Sequence, residues 1–181
     1  MRKKPMESER ESGLPPIVSF EARLLILGSF PSPASLRAGQ YYGHPRNQFW
    51  PLLGAVFGET LAEIPYAERV FCVIKRRVAI WDVLQSCVRP GALDADIRLG
   101  LRNNFEDFFA RLPCLERLCF NGKTSGKFAR SLAGLYADLH GGEPECFVLP
   151  SSSMAYTLPF AEKLVLWRKA LAPCAECPPS V

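Results

Sequence analysis

Arg23-Leu24-Leu25-Ile26-Leu27-Gly28, followed at once by Ser29-Phe30-Pro31-Ser32, is the stretch on which the fold turns. An apolar run of this length, ending in small and turn-forming residues, suits a strand covered on both faces rather than one with a solvated side. Residues 78–81, 115–120 and 146–149 have the same form, and each runs into Asp, Asn-Gly or Pro-Ser turn chemistry. Helical periodicity fills the intervals, with candidate helices at 47–57, 66–77, 104–111, 122–135 and 159–171. In the last of these Phe160, Leu164, Trp167 and Leu171 share one face, and Pro159 stands at the start. Strands that alternate with helices require crossovers, so the expected fold class is α/β: a three-layer α/β/α domain on a mostly parallel four-stranded sheet.

The 181 residues, 48% hydrophobic and 22% charged, are enough for one core. Residues 1–16 are expected to form a disordered, solvated arm, because Arg2, Lys3, Lys4 and Arg10 are offset by Glu7, Glu9 and Glu11. Residues 17–172 would form the domain, and 173–181 a Pro-rich tail. No apolar segment follows the basic start, which argues against a secretory signal, and the longest apolar runs fall far short of the roughly 20 residues of a membrane span. The seven cysteines are odd in number and mostly lie among apolar residues, which fits small buried side chains in a reducing, cytoplasmic setting. Cys174 and Cys177 have metal-ligand spacing but no second pair to match, so no metal site is expected. A net charge of +4 favours an anionic partner without naming it.

In open parallel sheets the ligand site lies beyond the carboxyl ends of the strands. That rule selects the loops beginning at Ser29, Asp82, Asn121 and Pro150. The first is long, polar and aromatic: it offers small residues at Gly28, Ser29 and Ser32, flat rings at Phe30, Tyr41 and Tyr42, and hydrogen-bonding groups at His44, Arg46 and Asn47. Asn47 also stands where it could simply cap the next helix. Asn121 can both donate to and accept from a base edge, and beside Gly122 it could instead be a left-handed turn residue. Ser151, Ser152 and Ser153 supply hydroxyls suited to phosphates, and Arg37, Arg46, Lys123, Lys127 and Arg130 flank the same edge. The denser cluster Lys75-Arg76-Arg77 precedes a strand and belongs to the opposite edge, as a solvated face.

The run Gly28-Ser-Phe-Pro-Ser, Ser35-Leu36 and Gln40-Tyr-Tyr-Gly-His-Pro-Arg-Asn-Gln-Phe-Trp50 closely resembles the hypoxanthine-DNA (deoxyinosine) glycosylases of the uracil-DNA glycosylase superfamily. Phe120-Asn121-Gly122 and Leu149-Pro150-Ser151-Ser152-Ser153 resemble the base-recognition turn and the DNA-inserting loop of that family, and the likeness spans roughly residues 22–172. The resemblance implies a monofunctional glycosylase that flips a deaminated base, hypoxanthine foremost, out of DNA and releases it in base excision repair, with no cofactor, no membrane and no obligate protein partner; a uracil- or G/U mismatch-specific glycosylase of the same fold is the alternative enzyme. The same resemblance assigns catalysis to Asn47; His44, the side chain best matched to neutral pH, is expected to donate a proton or hydrogen bond to the departing purine. Ser29, Phe30, Tyr42 and Asn121 would contact the base; Arg46, Lys123, Ser151, Ser152, Ser153 and Met154 would contact DNA. A monomer is expected. Two departures stand out. Leu149 replaces the histidine of the classical uracil enzymes, and Met154 stands where related deoxyinosine enzymes often have proline.

Competing classes are weaker. Gly122-Lys123-Thr124 after a strand suggests a phosphate-binding P-loop, but the first glycine that motif requires is replaced by Arg117. A serine hydrolase built on Ser29 lacks Gly-x-Ser-x-Gly. A non-catalytic nucleic-acid-binding domain of the same fold is left open by the sequence. Strand cleavage is not expected, because the loops that carry the match contain no lysine; Lys123 is the nearest amine.

Overall fold

Four parallel strands carry the molecule, in a computed structural model that describes residues 10–91 and 93–175. The strands among the described residues are β1 (Arg10–Ser12), β2 (Leu24–Gly28), β3 (Val78–Asp82), β4 (Leu84–Val88), β5 (Arg98–Arg102), β6 (Arg117–Asn121) and β7 (Glu145–Leu149). The central sheet has the order β3-β2-β6-β7, all parallel. All five residues of β2 and of β3 are buried, as continuous apolar strands covered on both faces must be.

The helices are α1 (Pro33–Ala38), α2 (Phe49–Phe57), α3 (Tyr66–Lys75), α4 (Phe105–Phe109), α5 (Lys123–Gly126), α6 (Ala129–His140) and α7 (Phe160–Ala175). α2 packs on α7, where Phe49 meets Trp167 edge-on at 5.6 Å. α4 packs on α6 through Phe109 and Tyr136 at 5.4 Å, and it meets the sheet where Phe108 lies 4.4 Å from Trp81. The three-layer α/β/α architecture expected from the sequence is thus present.

The register fixes the rim. Gly28 pairs with Asp82, Leu27 with Phe120, and Asn121 with Leu149, so the carboxyl ends of all four strands finish level. The chain goes from β2 to one neighbour, β3, and later returns to the other side of β2 as β6. The loops after β2 and β6 therefore diverge, and a crevice opens between them.

The structure differs from the sequence-based expectation in several places. Arg10–Ser12, assigned to a disordered arm, forms a strand that pairs antiparallel with β4, and β5 adds to the other side of β4 to make a second sheet. Backbone bonds and an ion pair from Glu11 to Arg89 hold this segment, not apolar burial. Residues 1–9 of the expected arm lie outside the described residues. The helix expected at 122–135 is two, α5 and α6, separated at Lys127 and Phe128; the Ser125 hydroxyl donates to Gly122 O at 3.2 Å and competes for the backbone there. Residues 173–175, assigned to a tail, continue α7, and Cys177 lies outside the described residues.

Candidate active site

A cavity of about 110 Å³ opens in the crevice between the ends of β2 and β6. It draws on every loop that the strand-end rule selects: Ser29 and Phe30 after β2, Asp82 at the end of β3, Asn121 at the end of β6, and Ser151–153 after β7. Tyr42 and Asn47 complete it from the long first loop.

Gly28 makes the cavity possible. A methyl group on its Cα would stand 2.2 Å from Asp82 Oδ1 and 3.1 Å from the Tyr42 hydroxyl. Tyr42 adopts a left-handed backbone, φ 54°, and its ring lies flat on Phe49 at 3.7 Å and 10°. Phe49 in turn rests on Trp167, so the aromatic wall of the cavity is founded on α7. Phe30 is buried beneath the Arg89 guanidinium at 5.2 Å, and Arg89 donates to Pro31 O and to Glu11 Oε2, both at 2.8 Å.

Asn47 is both a cap and a lining residue. Its Oδ1 accepts the Phe49 N–H at 2.9 Å, an Asx turn that starts α2, and among the described residues no group accepts from its Nδ2. The carboxamide thus retains both N–H donors and one lone pair. Asn121 is more committed. Its Nδ2 donates to Ser152 Oγ at 2.8 Å, and its Oδ1 accepts the Ser152 N–H at 2.9 Å. One N–H and one lone pair remain for a ligand.

Two expectations change. Ser152, expected to grip phosphate, is only 1% exposed and faces Asn121, so it anchors the serine loop instead. His44 does not line the cavity; its Nδ1 accepts the Arg46 N–H at 3.2 Å, which leaves the ring proton on Nε2 in the neutral form. The other residues expected to contact DNA lie at or near the surface of this edge. Arg46, Lys123 and Met154 are exposed, and Ser151 and Ser153 are half-buried at the mouth. A second cleft of about 450 Å³ shares Ser151 and Ser153 with the first and is lined by Lys123, Thr124, Tyr156 and Leu158. Away from this edge Arg77 faces Glu21 as a solvated residue would, whereas Arg76 is half-buried: it pairs with Glu59, donates to Phe57 O at 3.2 Å and lies over the Phe57 ring.

Asp82, Arg89, Gln48 and Lys163 belong to the site or its supports and were not singled out by sequence. Asp82 had a signal, being an acid that closes an apolar strand; Arg89 and Lys163 resemble ordinary surface cations until the fold buries them.

Residues 15–172 match the family model of the uracil DNA glycosylase superfamily. The chain belongs to that superfamily. Within it, the chain is 39% identical over 119 residues to a protein of Methanosarcina barkeri named hypoxanthine DNA glycosylase, a match that covers 66% of this chain and 75% of the relative. A protein of the same name from Methanosarcina acetivorans is 37% identical over 143 residues, covering 79% and 86%. The solution NMR structure of a candidate uracil DNA glycosylase from Methanosarcina acetivorans superposes with a TM-score of 0.75 at 33% identity, over 89% of this chain and 98% of that one. The superfamily member described here has no helix among its described residues long and apolar enough to cross a membrane.

Proposed function

We infer that this protein is a monofunctional DNA glycosylase that hydrolyses the N-glycosidic bond of a flipped-out deaminated base, hypoxanthine foremost, in base excision repair. The observation that carries the reading is a single cavity lined by both Asn47 and Asn121. Similarity to two Methanosarcina proteins named hypoxanthine DNA glycosylase supports the substrate.

A duplex hides the bond, so the nucleotide must first leave the stack. Hydrolysis then breaks C1′–N9 and the base leaves with the electron pair; a water oxygen bonds to C1′ on the opposite face and sheds its proton to solvent, and the departing base takes one up from solvent. An amide is a poor base at neutral pH, so Asn47 acts by holding that water through its spare lone pair and its N–H groups. Charge that gathers on the departing base is met by the remaining N–H of Asn121 and by the Ser29 hydroxyl. Phe30 and Tyr42 supply the flat walls. His44 serves the DNA backbone rather than the leaving base, since it stands outside the cavity lining.

Arg46, Lys123, Ser151 and Ser153 contact phosphates, and exposed Met154 fills the vacated stack. The chain works as a monomer in the cytoplasm, with no cofactor. It leaves an abasic site uncut, because strand cleavage needs an amine nucleophile at C1′, and Lys123 lines the neighbouring cleft rather than the base cavity.

Labelled oligonucleotides carrying hypoxanthine, uracil or xanthine, incubated with the protein and then treated with alkali, test the reading. Alkali-dependent breakage at deoxyinosine is expected, and Asn47→Ala should slow it about 10²–10³-fold. An inert wild type would leave a binding domain in place of an enzyme, breakage at uracil alone would reassign the substrate, and full activity of Asn47→Ala would remove the catalytic assignment.

A further inference from the structure

Lys163 is a cation only 1% exposed, yet among the described residues no carboxylate pairs with it. It projects from α7 on the same buried face as Trp167, Ala170 and Leu171. Its Nζ donates to Gln48 Oε1 and to Tyr156 O, both at 2.8 Å, and lies 5.4 Å from the centre of the Tyr156 ring. Burial drives its pKa down, the direction expected of an amine withdrawn from water. Such a charge costs stability that a leucine or methionine at the same place would not. The cost needs a return.

The two acceptors belong to the two loops that build the cavity. Gln48 follows Asn47 directly, and Tyr156 lies in the turn that closes the serine loop. The Gln48 N–H crosses to Ser152 O at 2.9 Å, and Ser152 is held in turn by Asn121. A continuous path therefore runs Asn47, Gln48, Ser152, Asn121, and Lys163 sits beneath its middle. Trp167, one turn further along α7, donates to Pro150 O at 3.1 Å and fixes the other end of the serine loop.

We propose that Lys163 is a positioning residue that locks the Asn47 loop to the serine loop, so that the two amides of the cavity keep one fixed separation. This rests on the glycosylase reading above for its catalytic consequence, though not for the lock itself. An ammonium group with three donors on a long unbranched stem can bridge two neutral acceptors on separate loops, which no apolar side chain of that size can do. A shift of about 1 Å in a group that orients the attacking water can cost about 10²-fold in rate.

Two variants of the full chain test it. Lys163→Met removes the charge and the donors but keeps the length; Gln48→Leu removes one acceptor and leaves the bond to Tyr156 O. Amide hydrogen exchange at Gln48 and Ser152 reads the lock without substrate, and both variants should exchange about tenfold faster or more at Gln48 while still melting cooperatively. Single-turnover excision of hypoxanthine should fall about 10–100-fold in each, affinity for DNA carrying an uncleavable deoxyinosine analogue should change by less than about threefold, and the double variant should be no slower than Lys163→Met alone. Unchanged exchange at Gln48, or a rate within about twofold of wild type in either variant, overturns the proposal. If Lys163→Met does not fold, Gln48→Leu decides alone. An inert wild type would sink the glycosylase reading, while the exchange result would still judge the lock.

Discussion

Asn121 and Ser152 hold each other by two hydrogen bonds, Nδ2 to Oγ at 2.8 Å and the Ser152 N–H to Oδ1 at 2.9 Å. The pair makes the end of β6 and the serine loop one unit, and it points to a separation of roles. Asn121→Asp preserves shape and the acceptor, and the Ser152 hydroxyl can turn to donate to the new carboxylate, so the loop should stay in place. The base, however, loses its donor and meets a negative charge. Excision of hypoxanthine should fall about 10²-fold or more, whereas Ser152→Ala, which keeps the backbone bond, should lose about tenfold or less. Single-turnover rates and melting curves check this together. A melting temperature that collapses with the activity of Asn121→Asp would assign Asn121 to folding alone.

Gly28→Ala should damage stability and the site at once. The added methyl would meet Asp82 Oδ1 at 2.2 Å, and Asp82 is only 3% exposed, with little room to retreat. The Tyr42 ring is held against Phe49 and cannot open the space either. Overpacking of this kind costs about 1–3 kcal/mol, which lowers the melting temperature by about 2–4 °C per kcal/mol in a chain of this size. Excision should fall further than stability explains, because the displaced groups line the cavity. A variant with unchanged melting and unchanged kcat/KM would show that the close approach is dispensable.

The parallel sheet was legible because burial on both faces leaves an unbroken apolar signature, as in Leu24–Gly28. The second sheet was not. β1 is Arg-Glu-Ser, and every residue of β5 is exposed, so neither carries the alternation by which a half-buried strand announces itself. α1 was legible in principle: Ser32 caps it, proline follows, and Gly39 ends it in the left-handed region, but a functional loop masked those signs. The cavity's asparagines are marked in the sequence by their strand-end loops and by the resemblance, beside ordinary readings as a cap and a turn residue. Asn47 proves to be a cap and a lining residue together. Lys163 and Arg89 escaped because hydropathy assigns cations to solvent, and only tertiary structure reveals which acceptors await them.

Arg89 supplies a test of the N-terminal strand. Its side chain is 1% exposed and spans Pro31 O, Glu11 and the face of Phe30, so it braces a cavity wall from outside. Arg89→Met should cost about 2–3 kcal/mol, less than a fully buried pair because Glu11 is partly solvated. Glu11→Gln keeps an acceptor and should cost less than about 1 kcal/mol. Denaturant unfolding of both measures the difference. A larger loss for Glu11→Gln than for Arg89→Met would contradict this account.

Stability at alkaline pH follows from the buried phenols. Burial, and then the charge of Asp82, raise the pKa of Tyr41 far above its ordinary 10.0, and burial raises Tyr66 and Tyr136 as well. The folded chain keeps these protons where the unfolded chain has lost them, so their contribution is complete below pH 10.0 and declines as pH rises beyond it. Lys163 has the opposite sign. Its pKa is lowered from 10.5, the unfolded state binds more protons just below that value, and stability gains there as pH rises. Burial also raises the Cys72 and Cys146 thiols above their ordinary 9.0, with the same sign as the phenols, so the melting temperature should hold through neutral pH and fall in the alkaline range. Tyr41→Phe gives up the hydrogen bond to Leu14 O, worth about 1 kcal/mol, but it also removes the group displaced furthest. The variant should melt a few degrees lower at about pH 8 and decline less steeply above about pH 10. An equal or steeper decline would mean that the alkaline transition belongs to other groups.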